Sequence, residues 1–347
     1  MTDTIHERHS QGTGCRATMR TGGRSRMDTR RDDELGGNWQ ATRLRVQPHP
    51  GVPGADTAVL THREGTLTRD SRPAGRAVLF VHGYLDYFFH PHLAEAWEAA
   101  GWTFYALDLR GNGRAWDGRS ELSYCSDLHA FGEELQRAIY LIRRAGAREV
   151  IINAHSTGGL LACVWAHAFP GAVDGLVLNS PWLDLAGPRL LRAGARTTAR
   201  ALARVSRRSL IGRLPGAYAH ALHVDGGGEF NFRPDWKPLG SHPVRAGFVA
   251  AVTRAQEAVA RGLELEVPVL VCHSEKSRLG LHRLGHCPGD ADVVLDVSTM
   301  AATASRLGED VEIVPITGAV HDIALSAPPV RQRYFALMTE WAARKVR

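Results

Sequence analysis

Residues 151–162 read IINAHSTGGLLA, with Ser156 between one apolar run and a second that opens on Gly158 and Gly159. A serine at a sharp strand-to-helix turn is the arrangement of a nucleophile elbow, whose usual pattern is G-x-S-x-G. Here Ala154 stands at the first glycine position, which needs only a small side chain. A serine hydroxyl attacks a carbonyl when a histidine takes its proton and donors receive the developing oxyanion. The turn would expose the Ser156 oxygen above a sheet and point the main-chain N–H of Thr157, at a helix N-terminus, toward that oxyanion. FVHGYLDYFF (80–89) puts His82 and Gly83 at the end of another apolar strand, which makes the N–H of Tyr84 the second candidate donor. ITGAVHD (316–322) sets His321 just after a late strand, where a base could reach back to the serine. Serine, then acid, then histidine is the order expected for this chemistry.

Such residues need a scaffold, and the chain alternates between short apolar strands and helical patterns from residue 41 onward. ATRLRVQ and DTAVLTHR read as two leading strands of a hairpin. AVLFVHG (77–83), WTFYALD, EVIINA (149–154), DGLVLNS, VPVLVCHS (267–274) and DVEIVPI (310–316) read as buried strands. Between them HLAEAWEAAG (92–101), residues 128–147 and GGLLACVWAHAF read as helices, and a last helix ends the chain. Fully apolar strands alternating with helices imply an α/β fold, with a mostly parallel central sheet covered by helices on both faces.

The rhythm breaks after Asp184. Residues 189–213 hold eight arginines and no acid, and six of these arginines recur every three or four residues opposite Leu190, Leu191, Ala195, Leu202 and Val205. That spacing makes an amphipathic helix with a basic stripe, read as a solvated face or as a peripheral contact for an anionic membrane surface. The expected organisation is a core over 41–184 and 249–347 with an inserted cap over 185–248. Residues 1–40, rich in Arg, Gly, Thr and Asp, read as a disordered extension, within which Met19 or Met27 could be the true start.

Composition narrows the function. The formal charge of +6 rests on 42 basic residues, of which only Lys237, Lys276 and Lys345 are lysines. An arginine-biased coding sequence explains this, and with no nucleic-acid-binding module in the chain no nucleic-acid partner is expected. No apolar run approaches the ~20 residues of a membrane span, and no secretory signal is expected. Five cysteines without CxxC spacing imply reduced thiols, hence a cytoplasmic location. His282, His286 and Cys287, preceded by Cys272 and His273, lack the second half of a zinc pattern, so neither a metal nor a cofactor is expected.

Taken in order, VHGYLDYFFHPHLAEAWEAAGW, YALDLRGNGRA, AHSTGGLLA, PVLVCHSEKS and GAVHDIAL resemble the α/β-hydrolase superfamily, over about residues 60–347. The similarity is to its lysophospholipase, monoacylglycerol lipase and serine-aminopeptidase-like subgroup. It implies Ser156 as nucleophile, His321 as general base, and the N–H groups of Tyr84 and Thr157 as oxyanion donors. DLRGNGRA matches the family's D-x-R-G-x-G-x-S loop, with Ala115 in place of the serine. The family's acid follows the strand VPVLVCHS in a pattern like H-G-x-x-D, but HSEKS puts Ser277 there. An insertion that delays the pattern to DADVVLD makes Asp292 the first candidate, then Asp296 and Asp290, with Glu275 in reserve. Asp86, Phe88, Phe89 and Trp182 could line an acyl pocket or pack the cap on the core.

The resemblance implies hydrolysis of a carboxylic ester with an apolar, lipid-like acyl part through an acyl-enzyme. The alternatives are an aminopeptidase-like amide hydrolase, for which Asp225, Glu229 and Asp235 are the cap acids available to hold an amine, and a non-catalytic binding protein of the same fold.

Overall fold

The computed structural model describes residues 28–48, 52, 55–68, 75–280 and 287–346. Its leading strands β1 (Asp28–Asp32), β2 (Trp39–Arg45) and β3 (Thr57–Arg63) pair antiparallel in sequence order. Strands and helices then alternate through β4 (Arg76–Val81), α1 (Pro91–Ala99), β5 (Thr103–Asp108), α2 (Gly132–Arg144), β6 (Glu149–His155), α3 (Thr157–Ala168) and β7 (Gly175–Asn179). A segment holding α4 (Arg189–Val205), β8 (Leu210–Leu214), α5 (Ala217–Leu222) and β9 (His242–Arg245) interrupts them, followed by α6 (Ala246–Arg261). The sheet resumes with β10 (Val269–Ser274), α7 (Val297–Ala304) and β11 (Val311–Ile316), and α8 (Pro328–Lys345) closes the chain.

Nine strands form one sheet in the order β1-β2-β3-β5-β4-β6-β7-β10-β11, parallel from β5 to β11. The two-residue period of a strand sends alternate side chains to opposite faces. On β4, Leu79 and Val81 join Leu135 of α2, Leu160 of α3 and Val252 of α6 in one buried cluster. Val78 and Phe80 join Trp97 of α1 and Tyr334, Met338 and Trp341 of α8 in the other. The central strands are therefore apolar throughout, as the sequence suggests, because both of their faces are covered.

Two boundaries and the orientation of one helix differ from those read in the sequence. β1 and β2 begin inside the stretch expected to be disordered: β1 has a polar sequence but pairs along its backbone with β2. Residues 1–27 lie outside the described residues. α6 starts at Ala246 rather than within the core proper, and its buried residues Phe248, Val252 and Val259 pack into the core cluster, so the helix belongs to the core from its first turn. In α4 the middle of the basic stripe turns inward, while Arg189 and Arg204 stay exposed. Arg192 and Arg196 pair with Asp184, and Arg200 with Glu257 on α6, whereas Leu190, Leu191 and Val205 are exposed. The sequence showed the amphipathic period but not which neighbours carry acids. No helix among the described residues is long and apolar enough to cross a membrane.

Candidate active site

The site lies at the carboxyl ends of β4, β6 and β11, where ligands of open parallel sheets bind. Ser156 joins β6 to α3 at φ 52° and ψ −116°, a conformation that costs a non-glycine residue about 1–3 kcal/mol. Main-chain bonds fix it. Its N–H donates to the Asn179 carbonyl at 3.0 Å, and its own carbonyl accepts from Gly159, Leu160 and Trp182 at 3.0, 3.2 and 3.0 Å. Ala154 is fully buried. Gly158 is required by close approach, since a Cβ there would stand 2.3 Å from the His82 carbonyl oxygen.

His321 follows β11 and meets Ser156 from the far side of the sheet end. Its Nε2 lies 3.1 Å from Ser156 Oγ, and its Nδ1 lies 2.8 Å from Asp292 Oδ2, with all three residues buried. A histidine protonated on Nδ1 toward a carboxylate keeps Nε2 free to accept a hydroxyl proton.

Asp292 arrives by a detour. Fifteen residues after Ser277 in the sequence, Asp292 pairs with it in an isolated parallel bridge. Its N–H donates to the Lys276 carbonyl at 3.0 Å and its carbonyl accepts from Arg278 at 2.8 Å. Ser277 stands where the resemblance expects the acid, and the bridge restores a carboxylate beside it. Asp292 Oδ1 accepts the N–H groups of Val294 and Leu295, both at 2.8 Å, which aims Oδ2 at the histidine. The other candidate acids are engaged elsewhere. Asp296 caps α7 through Ser298 and Thr299, Asp290 pairs with Lys276 at the surface, and Glu275 is exposed. Of the zinc-pattern residues, His282 and His286 lie outside the described residues.

A cavity of about 310 Å³ opens above Ser156, lined also by Tyr84, Thr157 and Trp182. Tyr84 stacks on Phe248 with ring centres 4.1 Å apart. The next residue, Leu85, turns at φ 54°, and its N–H donates to Ser123 Oγ at 3.0 Å. That turn buries Phe88, offered by the sequence for an acyl pocket, among Trp39, Phe80 and Phe104. Phe88 is a core residue and does not line the cavity. The adjoining D-x-R-G-x-G loop packs beneath: Asp108 accepts from the Phe88 and Arg114 main chain, and Gly113 (φ 47°) leaves no room for a Cβ, 2.5 Å from Tyr87 Cβ.

Asp86, offered by the sequence for the pocket, does line the cavity, whereas sequence reasoning missed the lysine that meets it there. Lys237, from the inserted segment, donates to Asp86 Oδ1 at 2.7 Å, with both residues buried. Burial alone would raise the Asp86 carboxyl, but Lys237 and His155 hold it well below the usual range. Asp322 accepts from Asn179 Nδ2 at 2.7 Å, and its N–H donates to the Tyr218 hydroxyl at 2.8 Å. Lys237 did carry a signal in the sequence, as one of three lysines in an arginine-dominated chain.

Known proteins share this architecture. A monoacylglycerol lipase of Mycolicibacterium smegmatis is 29% identical over 223 residues, covering 61% of this chain and 73% of that protein. The crystal structure of a Paleococcus ferrophilus monoacylglycerol lipase superposes with a TM-score of 0.58 at 20% identity, covering 79% of this chain and 96% of that one. A soluble variant of the Saccharomyces cerevisiae monoglyceride lipase, in complex with a substrate analog, gives 0.60 at 16% identity, covering 88% and 98%. At these identities the two structures establish the fold. The family described as serine aminopeptidase, S33 matches residues 72–326, and the chain belongs to that family, within the α/β-hydrolase superfamily.

Proposed function

We propose that the protein is a serine hydrolase that cleaves a carboxylic ester with an apolar acyl part through an acyl-enzyme. The observation that carries this reading is the buried relay from Asp292 through His321 to Ser156, at 2.8 and 3.1 Å. Ser156 Oγ attacks the ester carbonyl as His321 Nε2 takes its proton, and Asp292 stabilises the imidazolium that forms. The main-chain N–H groups of Tyr84 and Thr157 receive the oxyanion. His321 then protonates the departing alcohol. In the second half it takes a proton from water, which attacks the acyl carbonyl and frees Ser156.

The cavity supports a lipid-like substrate, because its walls include Trp182, Leu185, Leu214, Phe248 and Leu295 and apolar walls with few polar groups suit such a ligand. The names of the relatives point the same way. An aminopeptidase would need a free acid to hold the substrate amine. Asp225, Glu229 and Asp235 do not line the cavity: Glu229 pairs with Arg331, Asp235 faces Arg233, and Asp225 lies beside His223. Asp86 does line it, but is paired with Lys237. The expected result is a kcat/KM for a medium-chain monoacylglycerol at least about 100-fold above that for an aminoacyl amide, a gap of about 3 kcal/mol in transition-state stabilisation. A preference for the amide would overturn the ester reading while leaving the serine mechanism standing.

A further inference from the structure

Beneath the Ser156 turn, Asp86, His155 and Asp322 bring one ligand-type atom each within 4.8 Å of one another. All three are buried, as is Lys237. With a neutral imidazole, two carboxylates would face a single ammonium and leave one negative charge uncompensated in the interior, which is costly. The atoms without partners mark where the missing positive charge belongs. Asp86 Oδ2, Asp322 Oδ2 and both ring nitrogens of His155 make no hydrogen bond. His155 Nδ1 lies 3.4 Å from Asp86 Oδ2 and 3.8 Å from Asp322 Oδ2. A proton on His155 balances the cluster. A divalent cation in the same place would turn the deficit into an excess beside the Lys237 ammonium.

The His155 and His321 ring centres are 4.9 Å apart. We propose that His155 is a permanent imidazolium held between Asp86 and Asp322, and that this buried cation sets how far into acid His321 continues to work as a base. The proposal rests on the ester-hydrolase reading of the site. The charged and titratable groups around His155 are Asp86 after β4, Asp322 and His321 after β11, and Lys237 from the inserted segment. His90, close to both carboxylates, is pushed down to about 3 by burial and adds no charge at neutral pH. His321 also faces Asp292, Ser156 and the ring of Tyr218. Burial by itself would lower the His155 titration, but Asp322 and then Asp86 outweigh it and raise it from the ordinary histidine value. A fixed positive charge beside His321 opposes protonation of that ring.

The sign of the effect follows. Replacing His155 by a neutral residue makes His321 easier to protonate, so activity fails at a higher pH. For His155→Gln the acid limb of the kcat/KM profile should move up by about one pH unit, a readout independent of the plateau height. Ring 15N shifts of histidine-labelled wild-type protein should show one imidazolium at pH 8 that disappears in that variant. Asp322→Asn provides a second route if His155→Gln does not fold, since with one carboxylate fewer the same signal should turn neutral at pH 8. All rings neutral at pH 8 in the wild type, or an acid limb that stays in place in His155→Gln, would overturn the proposal. So would binding of Zn²⁺ alone to the wild type that is lost in His155→Gln, which would make the cluster a metal site. If no ester is turned over, the functional reading fails, while the spectra still decide the state of His155.

Discussion

Ser156→Ala is expected to lower kcat for ester hydrolysis by about four to six orders of magnitude, with KM little changed. The hydroxyl supplies the atom that bonds to the acyl carbon, whereas the cavity walls that bind the substrate are left untouched. What survives is binding and oxyanion stabilisation, which together leave a residual acceleration of about 10³–10⁴ over water. The fold should tolerate the change, because among the described residues the one hydrogen bond of Ser156 Oγ is to His321, while main-chain bonds to Asn179, Gly159, Leu160 and Trp182 hold the turn. Alanine meets the same positive φ as serine, so the denaturation midpoint should stay close to that of the wild type. Hydrolysis of short nitrophenyl esters checks the rate and urea unfolding checks the fold. A wild-type rate in this variant would remove the nucleophile and with it the mechanism.

The second large effect belongs to Asp292→Asn, for which a fall of about 10⁴ in kcat is expected. The amide oxygen can still accept the N–H groups of Val294 and Leu295, which bond the carboxylate at 2.8 Å. The amide nitrogen then faces His321 Nδ1 and, being a donor, forces the proton onto Nε2. The histidine would offer a hydrogen to Ser156 Oγ when it should be taking one, so the loss appears in kcat more than in KM. Asp296→Asn is the contrasting variant. Asp296 caps α7 through Ser298 and Thr299, and asparagine is as good an N-cap as aspartate, so activity should stay within a few-fold of the wild type. If Asp296→Asn abolished turnover and Asp292→Asn did not, the relay would be misassigned.

Legibility in the sequence follows the range of the interactions. Ser156 stands out because strand, small residue, serine and glycine are contiguous in the chain. His321 could be found from its place after the last strand. Asp292 is harder to find: its place depends on a bridge to Ser277, fifteen residues earlier in the sequence, and only the resemblance indicates where a carboxylate is needed. The apolar strands of the core were plain because burial on both faces erases alternation. Charge pairing between distant segments left almost no trace. The inward turn of the α4 arginines depends on Asp184 and on Glu257 of α6. The polar floor depends on Lys237 meeting Asp86, 151 residues away. Phe88 looked like a pocket residue because it follows the oxyanion stretch, and the positive φ of Leu85 that redirects it has no marker such as glycine.

The proposed mechanism requires Ser156 to be an activated nucleophile. Reaction of the intact protein with a fluorophosphonate, followed by mass-spectrometric peptide mapping, tests it without assuming any substrate. The serine oxygen would displace fluoride at phosphorus. A single phosphonyl adduct on Ser156 is expected, absent from Ser156→Ala and formed far more slowly in Asp292→Asn. An unlabelled protein, or an adduct on another residue that persists in Ser156→Ala, would contradict it.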